Sequence, residues 1–107
     1  MHAVVLTLCL LPPVQYQGLP PEPRANPVYH LVPSQDVDWD CREDLGLESI
    51  RPVVACSGWK DGHLQVYIAK DVPTADQQCS ARHELGHETM RELTGDADYW
   101  HAGWTLQ

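Results

Sequence analysis

Three residues of this chain, His83, Glu84 and His87, have the types and the spacing that metal-assisted hydrolysis requires. They belong to the run His-Glu-Leu-Gly-His at positions 83–87. Side chains four residues apart on a helix share one face, about 5–6 Å from each other, so two imidazoles can bind the same zinc ion. The glutamate between them projects beside the metal, where it can act as general base for a water molecule. The spacing predicts a zinc site with Glu84 as its catalytic base.

A catalytic zinc site normally has three protein ligands, and the third is expected after the helix that carries the motif. The chain beyond Gly95 contains Asp98 and His101. His87 lies about 10 Å before the helix end, at 1.5 Å per residue, whereas six extended residues cover up to roughly 20 Å. His101 can therefore return to the metal with slack, and it is the predicted third ligand. Asp98 has only about 10 Å of reach, which makes it the alternative.

Both parts of this site have a simpler interpretation. The motif can be an ordinary amphipathic helix with two histidines on its surface. His101 can be a partly buried residue that packs between Trp100 and Trp104. The elements around the motif favour the metal site, because residues 64–69 alternate and are rich in β-formers, as in a strand, and a helix is predicted from Thr74 to Leu93.

The predicted helix is amphipathic, and its metal ligands are expected at the boundary of the two faces. On a helical wheel, His83 and His87 lie at the edge of an apolar stripe, and Glu84 lies beyond them toward solvent. This suits a metal pair, because the core then holds the ligands while a water position stays open. Leu85 falls outside the stripe, so another segment should cover it. The stripe contains Cys79, Gly86, Met90 and Leu93, and the solvated face contains Glu88, Arg91 and Glu92.

A strand, a helix with His83-Glu84-x-x-His87, a turn and a third ligand together resemble the core of the zincin metallopeptidases. The acidic stretch and His-x-Gly that follow resemble small bacterial or phage HExxH proteins, whose third ligand is a histidine. The spacing from His87 to Asp98 is also similar to that of the aspzincins, which use an aspartate. The resemblance covers residues 50–104, and HExxH is its specific element. It implies a zinc-dependent peptidase that acts on a peptide or protein substrate.

The same resemblance assigns two further roles. Tyr99 would hydrogen-bond the tetrahedral intermediate, as certain zincin tyrosines do, although a tyrosine of the core is the alternative. The strand 64–69 would run along the substrate cleft and pair with an extended peptide.

The remaining pattern predicts an α+β fold, in which a small antiparallel sheet carries two packed helices and the second helix bears the motif. Lys60-Asp61-Gly62 indicates a hairpin, because Asp-Gly accepts the positive φ angles of a tight turn. His63, beside this turn, is expected to be solvated and not a ligand. The other predicted elements are the strand Val28–Val32, the helix Ser34–Leu45, and the strands Pro52–Trp59 and His63–Ala69.

Residues 1–27 are predicted to lie outside the folded domain, which would span residues 28–107. The apolar run Ala3–Leu11 has the length of a signal-peptide core, and a Pro-rich stretch follows it to Pro27. This order resembles a secretory signal and a tether, and it predicts a secreted or periplasmic protein. No Lys or Arg precedes the run and no clear cleavage site follows it. The alternatives are a start that forms a strand of the fold, and a cytoplasmic location.

The cysteines bear on the same question. A domain of about 80 residues buries only a modest core, so additional cross-links are expected. We expect a disulfide between Cys41 and Cys56, worth on the order of 3 kcal/mol in an oxidising compartment. Cys79 is expected to be a free buried thiol, with pairing to Cys56 as the alternative, and Cys9 to leave with the signal or lie outside the core. In a cytosolic protein all of them would be small core residues.

Charge and hydropathy limit the classes of partner. The formal net charge is −8, with only seven Lys and Arg, which argues against binding to nucleic acid or to anionic membrane surfaces. No segment approaches the ~20 apolar residues of a membrane span. Two hypotheses compete with the peptidase: a zinc-stabilised binding module without turnover, and a metal-free interaction domain. Bound metal would exclude the second, and hydrolysis that depends on Glu84 would exclude the first.

Overall fold

The protein has an α+β fold with two helices, as predicted. The structure, a computed structural model, describes residues 8–17, 26–47 and 54–107. The described strands are β1 (Leu10–Leu11), β2 (Val28–Val32), β3 (Ala55–Lys60), β4 (His63–Ala69) and β5 (Thr105–Leu106). The helices are α1 (Ser34–Leu45) and α2 (Thr74–Thr94), and Val14–Tyr16 forms one short 3-10 turn.

The larger sheet has the order β2-β4-β3. An antiparallel sheet was predicted, but this sheet is mixed. β3 and β4 are antiparallel, whereas β2 runs parallel to β4. A parallel pair requires a long crossover connection, and α1 lies in the connection that leads from β2 toward β4. Because β4 is the central strand, both of its edges are already paired. The prediction that residues 64–69 pair with a substrate peptide is therefore wrong.

The hairpin between β3 and β4 has the predicted turn. Asp61 and Gly62 both have positive φ angles, 55° and 78°, which is the conformation of a two-residue hairpin loop. Lys60 and His63 face each other across this loop, and the His63 side chain is exposed as expected. The tight turn fixes the register of the whole hairpin, so Ser57 lies opposite Val66 and on the same side of the sheet.

The two helices cover opposite faces of the sheet. Alternate residues of β4 point to opposite sides, so Tyr67 packs with Val37 and Cys41 from α1. On the other side Val66 packs with Leu85 of α2, together with Leu64 and Ile68. Leu85 is buried by the sheet, which confirms that another segment covers it.

The predicted division of α2 into an apolar and a solvated face is wrong in its central part. All six residues from Glu84 to Thr89 are buried, whereas Leu93 of the predicted stripe is 53% exposed. The predicted solvated residue Glu88 is only 4% exposed. The reason is that α2 packs against the sheet and also against β1 and the 3-10 turn, so its middle has neighbours on more than one side.

The folded domain includes residues before Val28, contrary to the predicted boundary. Leu10 and Leu11 form β1, which pairs antiparallel with β5 at the other end of the chain, and Cys9 is buried beside them. The alternative interpretation, that the start of the chain supplies a strand, holds for these residues. The predicted signal Ala3–Leu11 lies partly outside the described residues, as does part of the Pro-rich stretch.

Two disulfides link distant elements. Cys41 and Cys56 are bridged as predicted and join α1 to β3. Cys79 is bridged to Cys9, so neither a free Cys79 thiol nor a Cys56–Cys79 pair is correct. The prediction failed because it placed Cys9 outside the domain. Disulfides of this kind are typical of proteins in oxidising compartments.

Neither helix within the described ranges combines the length and the apolar character that a bilayer span requires.

Candidate metal centre

Three histidines converge at one point and could hold a metal ion. The Nε2 atoms of His83 and His87 are 3.2 Å apart, and His101 Nε2 lies 3.0 Å from the first and 3.1 Å from the second. A tetrahedral zinc ion with Zn–N bonds of about 2.0–2.1 Å holds its nitrogens roughly 3.3 Å apart. The three nitrogens therefore form a triangle of nearly the size that one face of such a coordination sphere needs.

The hydrogen bonds of the Nδ1 atoms show that the Nε2 atoms of His83 and His87 carry lone pairs. His83 Nδ1 lies 2.6 Å from the Leu10 carbonyl, and His87 Nδ1 lies 2.7 Å from the Ala97 carbonyl. A carbonyl can only accept, so each Nδ1 carries the proton, and in a neutral imidazole Nε2 then has a lone pair and no hydrogen. Two such lone pairs face each other across 3.2 Å. A shared cation satisfies both, so the donor set fits a metal ion.

Burial keeps these imidazoles in the neutral form that metals bind. It lowers the pKa of His87 to about 4, although the bond to Ala97 acts in the opposite direction. Burial likewise lowers the pKa of His83 and of His101. Metal binding requires neutral imidazole, so at neutral pH little proton release has to accompany it.

A tight reversal of the chain after α2 brings His101 back to the helix. The helix ends at Gly95, which has a φ of 83°, and Asp98 and His101 also adopt left-handed conformations with φ of 53° and 58°. Such conformations turn the chain sharply, and Gly and Asp tolerate them better than most residues. The structure thus places the predicted third ligand with the other two.

Asp98, the alternative ligand, forms a hydrogen bond with Trp104. Its Oδ2 accepts a hydrogen bond of 3.1 Å from Trp104 Nε1, and the converging group found among the described residues consists of the three histidines. Within the described residues Asp98 thus orients an indole ring, and the geometry does not make it a metal ligand.

Trp104 packs against all three histidines. Its ring centroid lies 4.8 Å from that of His83, 4.5 Å from that of His87 and 4.9 Å from that of His101. The side chain is buried, whereas Trp100 is 94% exposed. His101 is therefore not sandwiched between two tryptophans. The contact of Trp104 with all three histidines was not predicted, and its one signal in the sequence was the proximity of a Trp to His101.

Glu84 is buried. The prediction that it lies toward the solvated side of the helix is therefore wrong. It is 5% exposed, and its Oε1 accepts a hydrogen bond of 2.8 Å from the Ser57 hydroxyl. Burial raises the pKa of Glu84 to about 7, while the bond from Ser57 opposes this shift. A carboxyl with this pKa can both accept and release a proton at neutral pH. Ser57 was not predicted; its signal was a polar residue on the helix-facing side of β3.

Tyr99 lies beside His87 and is partly exposed to solvent. Its ring centroid is 4.9 Å from that of His87, and the residue is 56% exposed, so it is not a tyrosine of the core. Burial of part of the side chain raises the pKa of Tyr99, and the charges of Glu84 and Glu88 act in the same direction. The hydroxyl is therefore protonated, and available as a donor, throughout the neutral range.

A second polar cluster fastens α2 to β3 one turn beyond Glu84. Glu88 accepts a hydrogen bond of 3.0 Å from Trp59 Nε1 and forms an ion pair with Arg91. The Arg91 guanidinium also lies 5.5 Å from the centre of the Trp59 ring. Glu88, which was predicted to be solvated, is thus buried. Its carboxylate is tolerated there because Trp59 and Arg91 both donate to it.

Four parts of the chain meet at this centre. α2 supplies two of the histidines and the glutamate, the segment after it supplies the third histidine and Trp104, β3 supplies Ser57, and β1 supplies the Leu10 carbonyl. No protein-family model matches the chain, and comparison with curated proteins and with solved structures finds no significant similarity.

Proposed function

We propose that this protein is a small zinc-dependent peptidase with a zincin-like site. The observation that carries the proposal is the convergence of His83, His87 and His101 through their Nε2 atoms, with Glu84 next to the first of them in the same helix. A binding site for the metal alone does not require this glutamate. A hydrolytic site requires a general base at that position.

Zinc is the proposed metal. Three neutral imidazoles form a ligand set that catalytic zinc sites use, and three protein ligands leave the fourth tetrahedral position open. When bound, zinc would lower the pKa of a water molecule and polarise the carbonyl of a peptide bond.

The protein side chains would then move the proton and stabilise the charge that develops. Glu84 would accept a proton from water and pass it to the leaving amine, a role for which a pKa of about 7 is suitable. Ser57 would hold the glutamate by its Oε1 atom. Tyr99, beside His87, would donate its hydroxyl to the negative oxygen of the reacting carbonyl.

β3 is the proposed strand for substrate pairing, in place of β4. It is an edge strand of the sheet that the structure describes, and it carries the Ser57 that contacts Glu84. An extended peptide that adds to the free edge of β3 would pass close to this base. The proposed substrate is thus a peptide or an extended protein segment.

The proposed location is secreted or periplasmic. The two disulfides, Cys9–Cys79 and Cys41–Cys56, support an oxidising compartment, because reducing compartments keep most thiols free.

The competing function is a zinc-stabilised binding module. It is favoured by the depth at which Glu84 lies and by its bond to Ser57, which would suffice to explain a purely structural glutamate. In that protein zinc would bind but no peptide would be cleaved.

Hydrolysis of a broad peptide library by the zinc-loaded protein tests the proposal, with Glu84→Gln as the matched variant. Glutamine keeps the shape and can still accept from Ser57, so the variant should bind zinc and melt like the parent. It should lose hydrolysis by roughly 10²-fold or more, the scale of a general base. A parent that holds zinc and cleaves nothing would replace the peptidase by the binding module.

A further inference from the structure

We infer that residues Cys9–Pro12, here called the N-terminal strap, are a positioning element of the metal centre, and that the Cys9–Cys79 disulfide sets the metal affinity through them. The inference rests on the metal-binding part of the proposed function. It concerns how the ligands are held, and it does not depend on whether a peptide is cleaved.

The strap holds one ligand directly. The Leu10 carbonyl accepts the proton of His83 Nδ1 across 2.6 Å, and the two residues are 73 positions apart in the sequence. The corresponding partner of His87 is Ala97, only 10 positions away in the segment that follows the helix. Thus the Nδ1 partner of His87 comes from the segment that directly follows its helix, whereas the Nδ1 partner of His83 comes from the distant strap.

Covalent and backbone links keep the Leu10 carbonyl at this position. Cys9, the residue before it, is bridged to Cys79, which lies one turn before His83 in α2. The Cys9 amide donates to the Gln107 carbonyl at 2.9 Å, and the Gln107 amide donates to the Cys9 carbonyl at 2.8 Å. The strap is therefore fixed both to the ligand helix and to the end of the chain that follows Trp104.

The strap also lies directly on the helix between the two ligands. A Cβ added to Gly86 would come within 2.9 Å of Pro12 Cγ and Cδ, and within 3.3 Å of the Trp104 ring. Only a glycine at this position of the motif allows the ring of Pro12 to pack so closely. The small residue between His83 and His87 is thus explained by the strap, since a helix interior otherwise favours alanine.

Loss of the strap should weaken metal binding without unfolding the sheet. A ligand histidine whose Nδ1 partner is removed can rotate and change tautomer, and the loss of such outer partners typically lowers metal affinity by about 10–100-fold. The two disulfides lie on different sides of the sheet, since Cys41 and Cys56 belong to the cluster beneath α1. They provide a matched pair for comparison.

The test is the zinc dissociation constant, measured by competition with a chelator, for the parent and two paired serine variants. Cys9→Ser with Cys79→Ser should weaken zinc binding about 10–100-fold, whereas Cys41→Ser with Cys56→Ser should leave it unchanged in the folded protein. In the zinc-free parent, ¹⁵N spectra should show the His83 ring as the Nδ1–H tautomer, and the Cys9/Cys79 variant should lose this preference.

Equal zinc affinity of the parent and the Cys9/Cys79 variant, or an equal loss in both serine pairs, would overturn the inference. A parent that binds no zinc would instead overturn the proposed function, which keeps the two failures separate. If circular dichroism shows that the Cys9/Cys79 variant is unfolded, Gly86→Ala tests the role of the strap while both disulfides stay intact. It should weaken zinc binding, and adding Pro12→Ala should restore part of the loss; no restoration would contradict a role for the strap.

Discussion

Ser57 donates a hydrogen bond of 2.8 Å to Glu84 Oε1, and both side chains are buried. This bond connects the edge strand β3 to the glutamate of α2. It fixes the carboxyl group in one orientation and favours its ionised form, against the effect of burial. In the proposed peptidase, Ser57 therefore positions the general base on the strand along which the substrate would lie.

Replacing Ser57 by Ala should slow hydrolysis and move its pH dependence. The bond from Ser57 lowers the pKa of Glu84, which is about 7 in the parent. Removal of this bond should therefore raise the pKa of Glu84. Because the base must be ionised, the acidic limb of the kcat/KM profile should shift to higher pH. Ser57→Thr keeps the hydroxyl and serves as the control. A profile of the Ala variant that coincides with that of the parent would show that Ser57 does not position Glu84.

His101 and Asp98 can be separated by their effects on the metal. His101→Ala removes a proposed ligand. Loss of a group that only hydrogen-bonds to a ligand typically lowers metal affinity by about 10–100-fold, and the loss of zinc affinity in this variant should be larger. Asp98→Asn leaves an oxygen that can accept from Trp104, so it should bind zinc like the parent. Titration with zinc and a competing chelator measures both. The opposite order, with the Asp98 variant losing the metal, would favour the aspzincin-like arrangement.

The convergence of His101 with His83 and His87 shows what the sequence could predict. Chain reach alone favoured His101 over Asp98, because six residues after the helix end give ample length for a return. The hairpin between β3 and β4 was equally predictable, since Asp61-Gly62 has the backbone preference that the turn requires. Local chemistry and local geometry determine both features, and no distant contact is needed to see them.

The burial of Glu84 and Glu88 could not be predicted in this way. A helical wheel assumes one buried face, but the middle of α2 has the sheet on one side and β1 with Trp104 on the other. The strap was missed for a related reason. Its apolar composition is typical of a signal-peptide core, and what makes it part of the fold is the pairing of Leu10 with Leu106, almost the full chain length away.

Tyr99→Phe should separate a catalytic hydroxyl from a packing ring. Phenylalanine keeps the ring beside His87, so zinc affinity and melting temperature should stay close to those of the parent. Loss of a donor to the developing oxyanion typically lowers kcat by about 10²–10³-fold, and a decrease toward that size is expected. The measurement is kcat on the best substrate from the peptide library. An unchanged kcat would remove Tyr99 from the proposed reaction.

The central claim is that three converging histidines bind one zinc ion, and metal stoichiometry tests it most directly. Elemental analysis after incubation with zinc and exhaustive dialysis should find about one zinc per chain in the parent. His87→Ala should lose the metal, whereas His63→Ala, which alters an exposed hairpin residue, should retain it. A folded parent without zinc, or a parent and a His87 variant with the same zinc content, would contradict the metal centre.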